Sequence, residues 1–179
     1  MKTWRLIEDA KCDGGYNMAT DWAILQACNE GKSPPTIRLY GWETPTLSIG
    51  YSQKGTGQIN RERCAQLNIP IVRRPTGGRA VLHDRELTYS LIAPLNHPRF
   101  AGGLQKTFHA VSDILLECLT KLGIPAERHA VAKERQDHTG QIKTPACFAS
   151  SNRFEIFARD KKLVGSAQRR LNHVFLQHG

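Results

Sequence analysis

The chain has 179 residues, of which 40% are apolar and 23% charged, ordinary proportions for one globular domain with a real core. No run nears the roughly 18 apolar residues of a membrane span, and Met1-Lys2-Thr3-Trp4-Arg5 leads into no apolar signal core, so a membrane protein and a secreted one are disfavoured and a cytoplasmic location is expected. A net charge of +9 favours an acidic partner, yet the basic residues are scattered without a homeodomain, zinc-finger or RNP-like signature, which argues against nucleic acid.

In chain order, Trp4 to Glu8 reads as a first strand. Tyr16 to Asn29 carries Met18, Trp22, Leu25 and Cys28 at helical spacing, which predicts an amphipathic helix with Cys28 in the core. After Pro34-Pro35, alternation at Ile37 and Leu39 and then at Leu47 and Ile49 predicts strands over Thr36 to Tyr40 and Thr46 to Gly50. Gln58 to Asn68 is expected to be a short polar helix with Cys64 and Leu67 on one side. Ile69 to Val72 and Leu87 to Ile92 are β-branched strands flanking a glycine-rich loop. Leu104 to Leu122 is predicted helical, with Phe108, Val111, Leu115, Cys118, Leu119 and Leu122 on one buried face and Gly123 at its close. Pro125 to Pro145 is polar and without period, so a long functional loop is expected there. Arg153 to Ala158, Lys162 to Gly165 and His173 to Gln177 read as further strands. Helices and strands do not strictly alternate, so the fold class is α+β.

The loop Arg73-Arg74-Pro75-Thr76-Gly77-Gly78-Arg79-Ala80-Val81-Leu82-His83-Asp84 is the most informative segment. It joins strand to strand and lacks the Gly-Lys-Ser/Thr ending and following helix of a nucleotide-hydrolase phosphate loop. Two glycines without Cβ atoms let a ligand approach the backbone, with arginines and His83 as donors. A Gly-Gly hairpin turn with solvated arginines fits the same composition.

The five cysteines are odd in number and show no C-x-x-C spacing, so reduced thiols are expected, and the histidines form no metal-ligand pattern. Cys147 differs from the others because Pro145-Ala146-Cys147-Phe148 lies at the end of the charged loop, outside any helical stripe. A reactive thiol must ionise, and its ordinary pKa of about 8.5 leaves little thiolate at neutral pH. Lys162, opening a strand after the Asp160 turn, is a candidate cation. An ammonium at about 4 Å in an effective dielectric near 20 favours the thiolate by roughly 4 kcal/mol before desolvation. A small buried cysteine and a solvated hairpin lysine remain the alternative.

Arg73 to Asp84, Glu86-Leu87-Thr88-Tyr89-Ser90, Pro145 to Phe148 and Lys162-Leu163-Val164-Gly165-Ser166-Ala167-Gln168, with Tyr40-Gly41-Trp42 and Leu47 to Tyr51 before them, together resemble the superfamily of lipoate-protein ligases, biotin ligases and octanoyltransferases. Nearly the whole chain takes part. The resemblance implies mostly antiparallel mixed sheets flanked by helices, as one biotin/lipoate ligase-type catalytic domain over residues 1–179. It is nearest to the cysteine-dependent octanoyltransferases, because ATP-dependent ligases usually carry a third glycine where Arg79 stands and lack a cysteine at Cys147. That branch moves an octanoyl group from octanoyl-acyl carrier protein to the lipoyl domain of glycine cleavage protein H. It implies Cys147 as acyl-accepting nucleophile, Lys162 as the lysine of the site, and an acyl pocket lined by Arg74, Thr76, Gly77, Gly78, Arg79, His83, Gly165, Ser166 and Ala167. No cofactor or metal is implied, and the acidity of such carriers suits the positive charge. The superfamily continues beyond the counterpart of Gly179 with a further strand and a helical portion. The resemblance therefore implies a missing C-terminal part, an open edge beside the last strand and an incomplete lid. An ATP-dependent lipoate ligase and an inactive or binding-only fragment are the two other functions considered.

Overall fold

A computed structural model describes residues 3–53, 59–128 and 155–179 of the chain. The first strand, β1 (Arg5–Cys12), lies parallel to β2 (Thr36–Trp42), which buries every second residue. A parallel pair needs a crossover, and helix α1 (Gly14–Asn29) supplies it. Asp13 starts that helix by accepting a hydrogen bond from the Tyr16 amide at 3.0 Å. There follow β3 (Thr46–Ile49), α2 (Arg61–Gln66), β4 (Ile71–Arg73), β5 (Val81–His83), β6 (Thr88–Pro94), α3 (Leu104–Lys121), β7 (Ala126–Arg128), β8 (Ile156–Ala158), β9 (Lys161–Val164), β10 (Ala167–Arg170) and β11 (Val174–His178). The class is α+β.

Three sheets result. The main one has the order β1-β2-β6-β11-β10, parallel at β1/β2 and antiparallel elsewhere; the others are β4-β3-β5 and β7-β8-β9. Period-2 alternation divides the main sheet between two cores. Ile92, Val174 and Leu176 face α1, packing on Ile24, Leu25 and Cys28. Leu91, Ala93 and Phe175 face the other way, toward Val111 of α3 and Phe100. Met18, Tyr40 and Trp42, with Val72, join α1 to the β4-β3-β5 sheet. None of the described helices is long and apolar enough to cross a membrane.

Several sequence expectations are corrected. Cys118 is exposed, and Leu122 is 74% exposed, because α3 buries Thr107, Val111 and Ser112 in its N-terminal half while its last turns run past the core. Helix α2 buries no residue, and Leu67 just after it is exposed. Residues 126–128, expected in a loop, pair with β8; residues 129–154 lie outside the described residues. The last strand has no open edge: β11 lies between β6 and β10, hydrogen-bonded to both.

A buried polar network ties α1 to the main sheet. Arg38 of β2 is fully buried; its Nε donates to Asp9 Oδ2 at 2.7 Å, Nη1 to Asp21 Oδ1 at 2.9 Å and to the Asn17 carbonyl at 3.1 Å, and Nη2 to Asn17 Oδ1 at 2.9 Å. The guanidinium also lies 4.0 Å over the Tyr40 ring. Asp21 in turn accepts from Tyr40, Ser90 and, at 3.0 Å, His178 Nδ1. Burial pushes the Asp21 carboxyl up, but the His178 hydrogen bond and the Arg38 charge outweigh it and hold the group below its ordinary 3.8. The same burial and the Asp21 charge raise the Tyr40 hydroxyl well above its usual range.

Replacing Asp21 by Asn should cost about 3 kcal/mol or more, because a buried guanidinium loses a charged partner; the urea midpoint at neutral pH measures it. A carboxyl held below its unfolded value stabilises the fold above that value and ceases to do so as pH falls through the folded one. The gap between the wild-type protein and Asp21→Asn should therefore be full at neutral pH and shrink below about pH 4, where Asp21 itself takes up a proton.

Candidate functional site

The glycine-rich loop is held by its own arginines. Arg73 Nη1 donates to the carbonyls of Gly50, Tyr51 and Gln53 at 2.7, 3.1 and 3.2 Å. Arg74 is buried: Nη1 donates to the Ser48 carbonyl and hydroxyl, and Nη2 to the carbonyls of Gly77 and Arg79 at 2.8 and 2.7 Å. Its guanidinium thus shapes the turn from within. Gly78 adopts φ +100°, open to glycine at little cost, and its carbonyl packs so closely on Gly50 that a Cβ there would overlap it. Arg79 is exposed.

Thr76 is fully buried and leads out of the loop toward the end of β11. Its hydroxyl lies 2.6 Å from His178 Nε2, while His178 Nδ1 meets Asp21. Asp21 accepts from Nδ1, and Nε2 shares its hydrogen bond with the Thr76 hydroxyl. The loop is thereby anchored to the buried network. Ala167 pairs with His178, and Gly165 packs against Gly179 so tightly that a Cβ on Gly179 would overlap its carbonyl. Ser166 Oγ is 2.6 Å from the buried Tyr89 hydroxyl. The end of β11 therefore brings together Thr76 from the loop and Gly165, Ser166 and Ala167 from the turn into β10.

His83 is joined to Arg74 of the loop through the Ser48 hydroxyl, which both contact. Its Nε2 is 2.7 Å from Ser48 Oγ and its Nδ1 2.6 Å from Glu86 Oε1, and its ring stacks on Trp42 at 4.0 Å. Burial raises the Glu86 carboxyl, but the His83 contact prevails and lowers it. On the third sheet, Lys162 Nζ donates to Glu155 Oε1 at 2.5 Å, with both side chains almost wholly buried. Cys147, the candidate nucleophile, lies outside the described residues.

An open cleft of about 670 Å³ between α2 and β4, lined by Cys64, Ile69, Ile71 and Arg73 among others, contains, among the described residues, none of those expected to line the acyl pocket. Asp21, Arg38, His178 and Glu155 were not singled out from the sequence. The contact of Asp21 with His178 spans 157 positions, so no local spacing signals it. Glu155 has a weak signal only, a lone acid beside an apolar strand.

The profile of the lipoyl protein ligase A/B catalytic domain matches residues 13–179. The chain is 43% identical over 179 residues to octanoyltransferase LipM of Kyrpidia tusciae, covering all of this chain and 65% of that protein. It is 39% identical to octanoyltransferase LipM of Bacillus subtilis over 181 residues, 99% of this chain and 64% of the other. The chain thus spans a little under two thirds of these relatives. Among solved structures, a T. acidophilum protein with bound lipoic acid superposes with a TM-score of 0.75 at 23% identity, over 99% of this chain and 67% of that one. Lipoate-protein ligase A bound with ATP gives a TM-score of 0.72 at 21% identity, over 99% and 65%. These two likenesses are of fold.

Gly50→Ala should destabilise the loop by about 1–3 kcal/mol, the usual cost of overpacking, because backbone rather than a flexible side chain stands in the way. Gly77→Ala, where nothing lies within 4 Å of the added carbon, should change stability by no more than about 0.5 kcal/mol. Thermal unfolding of the pair distinguishes a loop held by close approach from one that tolerates substitution throughout.

Proposed function

Because the chain belongs to the lipoyl protein ligase A/B catalytic domain family, we propose that it is a cytoplasmic octanoyltransferase acting through a thioester on Cys147, with residues 1–179 forming its catalytic domain. The observation that carries this reading is the identity of about 40% to octanoyltransferases LipM along essentially the whole chain. The Gly77-Gly78-Arg79 sequence supports the cysteine-dependent branch over an ATP-dependent ligase.

Octanoyl-acyl carrier protein is the donor in this scheme. The Cys147 thiolate attacks its thioester carbonyl, the carrier's thiolate leaves, and the enzyme keeps the octanoyl group. The amine of the lipoyl-domain lysine of glycine cleavage protein H then attacks the enzyme thioester and forms an amide. Lys162, buried and positively charged, is the group whose field favours the Cys147 thiolate; Glu155 offsets part of that field. Thr76, Gly77 and Gly78 form one wall for the acyl chain and Gly165, Ser166 and Ala167 the facing one, an arrangement supported by their convergence at the end of β11. Arg74 contributes by fixing the loop, and His83 by fixing its far strand through Ser48 and Glu86. Backbone amides near Gly77, Gly78 or Lys162 are the candidate oxyanion donors. The net charge of +9 favours docking of acidic carriers in turn.

Incubation with octanoyl-acyl carrier protein should add one octanoyl group by intact mass, without ATP and not in Cys147→Ala. A mass gain that persists in that variant removes Cys147 as nucleophile. Lipoate adenylation with pyrophosphate release, unaffected by Cys147→Ala, would instead make the protein a ligase. Binding of carrier without any acyl transfer would make it a binding-only protein.

A further inference from the structure

Glu155 stands immediately before β8, and Lys162 faces it from β9, with Nζ 2.5 Å from Oε1. The side chains are 5% and 8% exposed. A buried ion pair is favourable only when the remaining lone pairs are also satisfied. Here Glu155 Oε2 is buried and accepts from no group among the described residues. An unfilled acceptor of that kind is costly, and more so when it is charged. A pair that only held the β8–β9 hairpin would gain nothing by leaving it open.

The surroundings show what could fill it. Alternation along β9 puts Lys162 on the same side as Val164, which packs on the cluster of Tyr89 and Phe175, and Gly165 and Ser166 follow directly. Ser166 is bonded to Tyr89 within the convergence described above. The unsatisfied oxygen thus belongs to the segment assigned to the acyl site. Among the participants in the proposed transfer, the acceptor lysine is the one that must arrive as a donor and lose a proton before it can react.

The geometry points to Glu155 as the residue that receives this amine: Oε1 holds Lys162, while Oε2 accepts a hydrogen bond and then a proton from the acceptor lysine ammonium. This rests on the octanoyl-transfer function proposed above. The ammonium N–H bond breaks, its proton passes to Oε2, and the freed lone pair forms the C–N bond to the thioester carbonyl carbon. The C–S bond then breaks, the departing thiolate takes the second amine proton, and Glu155 returns its proton to water.

Glu155→Gln keeps the shape and can still accept from Lys162, but cannot take the proton. Protein loaded with octanoyl to completion should, in this variant, pass the group to the lysine of an apo lipoyl domain about 100-fold more slowly or worse. The deficit should narrow as pH rises toward the ordinary lysine pKa of about 10.4. Discharge to hydroxylamine, an amine already unprotonated at neutral pH, should keep its wild-type rate. Lysine transfer at the wild-type rate, or equal losses with lysine and hydroxylamine, overturns the assignment. If Glu155→Gln does not fold, the lysine-to-hydroxylamine ratio in Glu155→Asp decides: a fall supports the role and an unchanged ratio rejects it. Wild-type protein that accepts no octanoyl group defeats both this inference and the proposed function, whereas normal loading with an unaltered ratio defeats this inference alone.

Discussion

One buried guanidinium constrains the whole arrangement. Arg38 lies between α1 and the centre of the main sheet with no access to water, so every one of its donors has to find an acceptor inside the protein. Asp9, Asn17 and Asp21 provide them, and that requirement sets the rotation of α1 and the depth of β2 together. A core of aliphatic side chains would tolerate a small slide of the helix. A guanidinium fork meeting carboxylates and an amide does not, because its bonds are directional.

The effect reaches the glycine-rich loop through Asp21. The carboxylate that neutralises Arg38 also orients the His178 ring, and His178 holds Thr76. The glycine-rich loop, the end of β11 and α1 are therefore one connected polar structure, although they come from the middle, the end and the beginning of the sequence. Arg74 works on a shorter range, gathering the loop's carbonyls so that the peptide amides are turned away from it. Rigidity in such a loop has chemical value: donors already in position need not be ordered again when charge develops on a bound carbonyl.

The features legible in the sequence are those written in local patterns. Alternation at Ile37, Leu39, Leu47 and Ile49 marked β2 and β3, the stripe from Met18 to Cys28 marked α1, and Gly77-Gly78 between arginines marked the loop. Strands β5, β7 and β10 are short and lack the apolar alternation that Leu47 and Ile49 give the equally short β3. The stripe on α3 predicted burial at Cys118 and Leu122, but a stripe says which face is apolar and not how far along the helix a neighbour extends. The polar network was illegible for a different reason. Asp21, Arg38 and His178 are ordinary polar residues until the chain folds, and only tertiary structure puts them within reach of one another.

The place of β11 also bears on how the chain assembles. It is the last strand among the described residues, yet it occupies an interior position, paired with β6 some eighty residues earlier. On a growing chain, β1, α1, β2 and β6 emerge first and leave the second edge of β6 without a partner until residues 174–178 are made. Closing that long interval costs loop entropy before any hydrogen bond repays it, which slows folding. During synthesis the nascent sheet offers an unpaired strand edge, an invitation to other chains. The strand that carries His178 to the loop is thus also the latch that ends the period of greatest risk of aggregation.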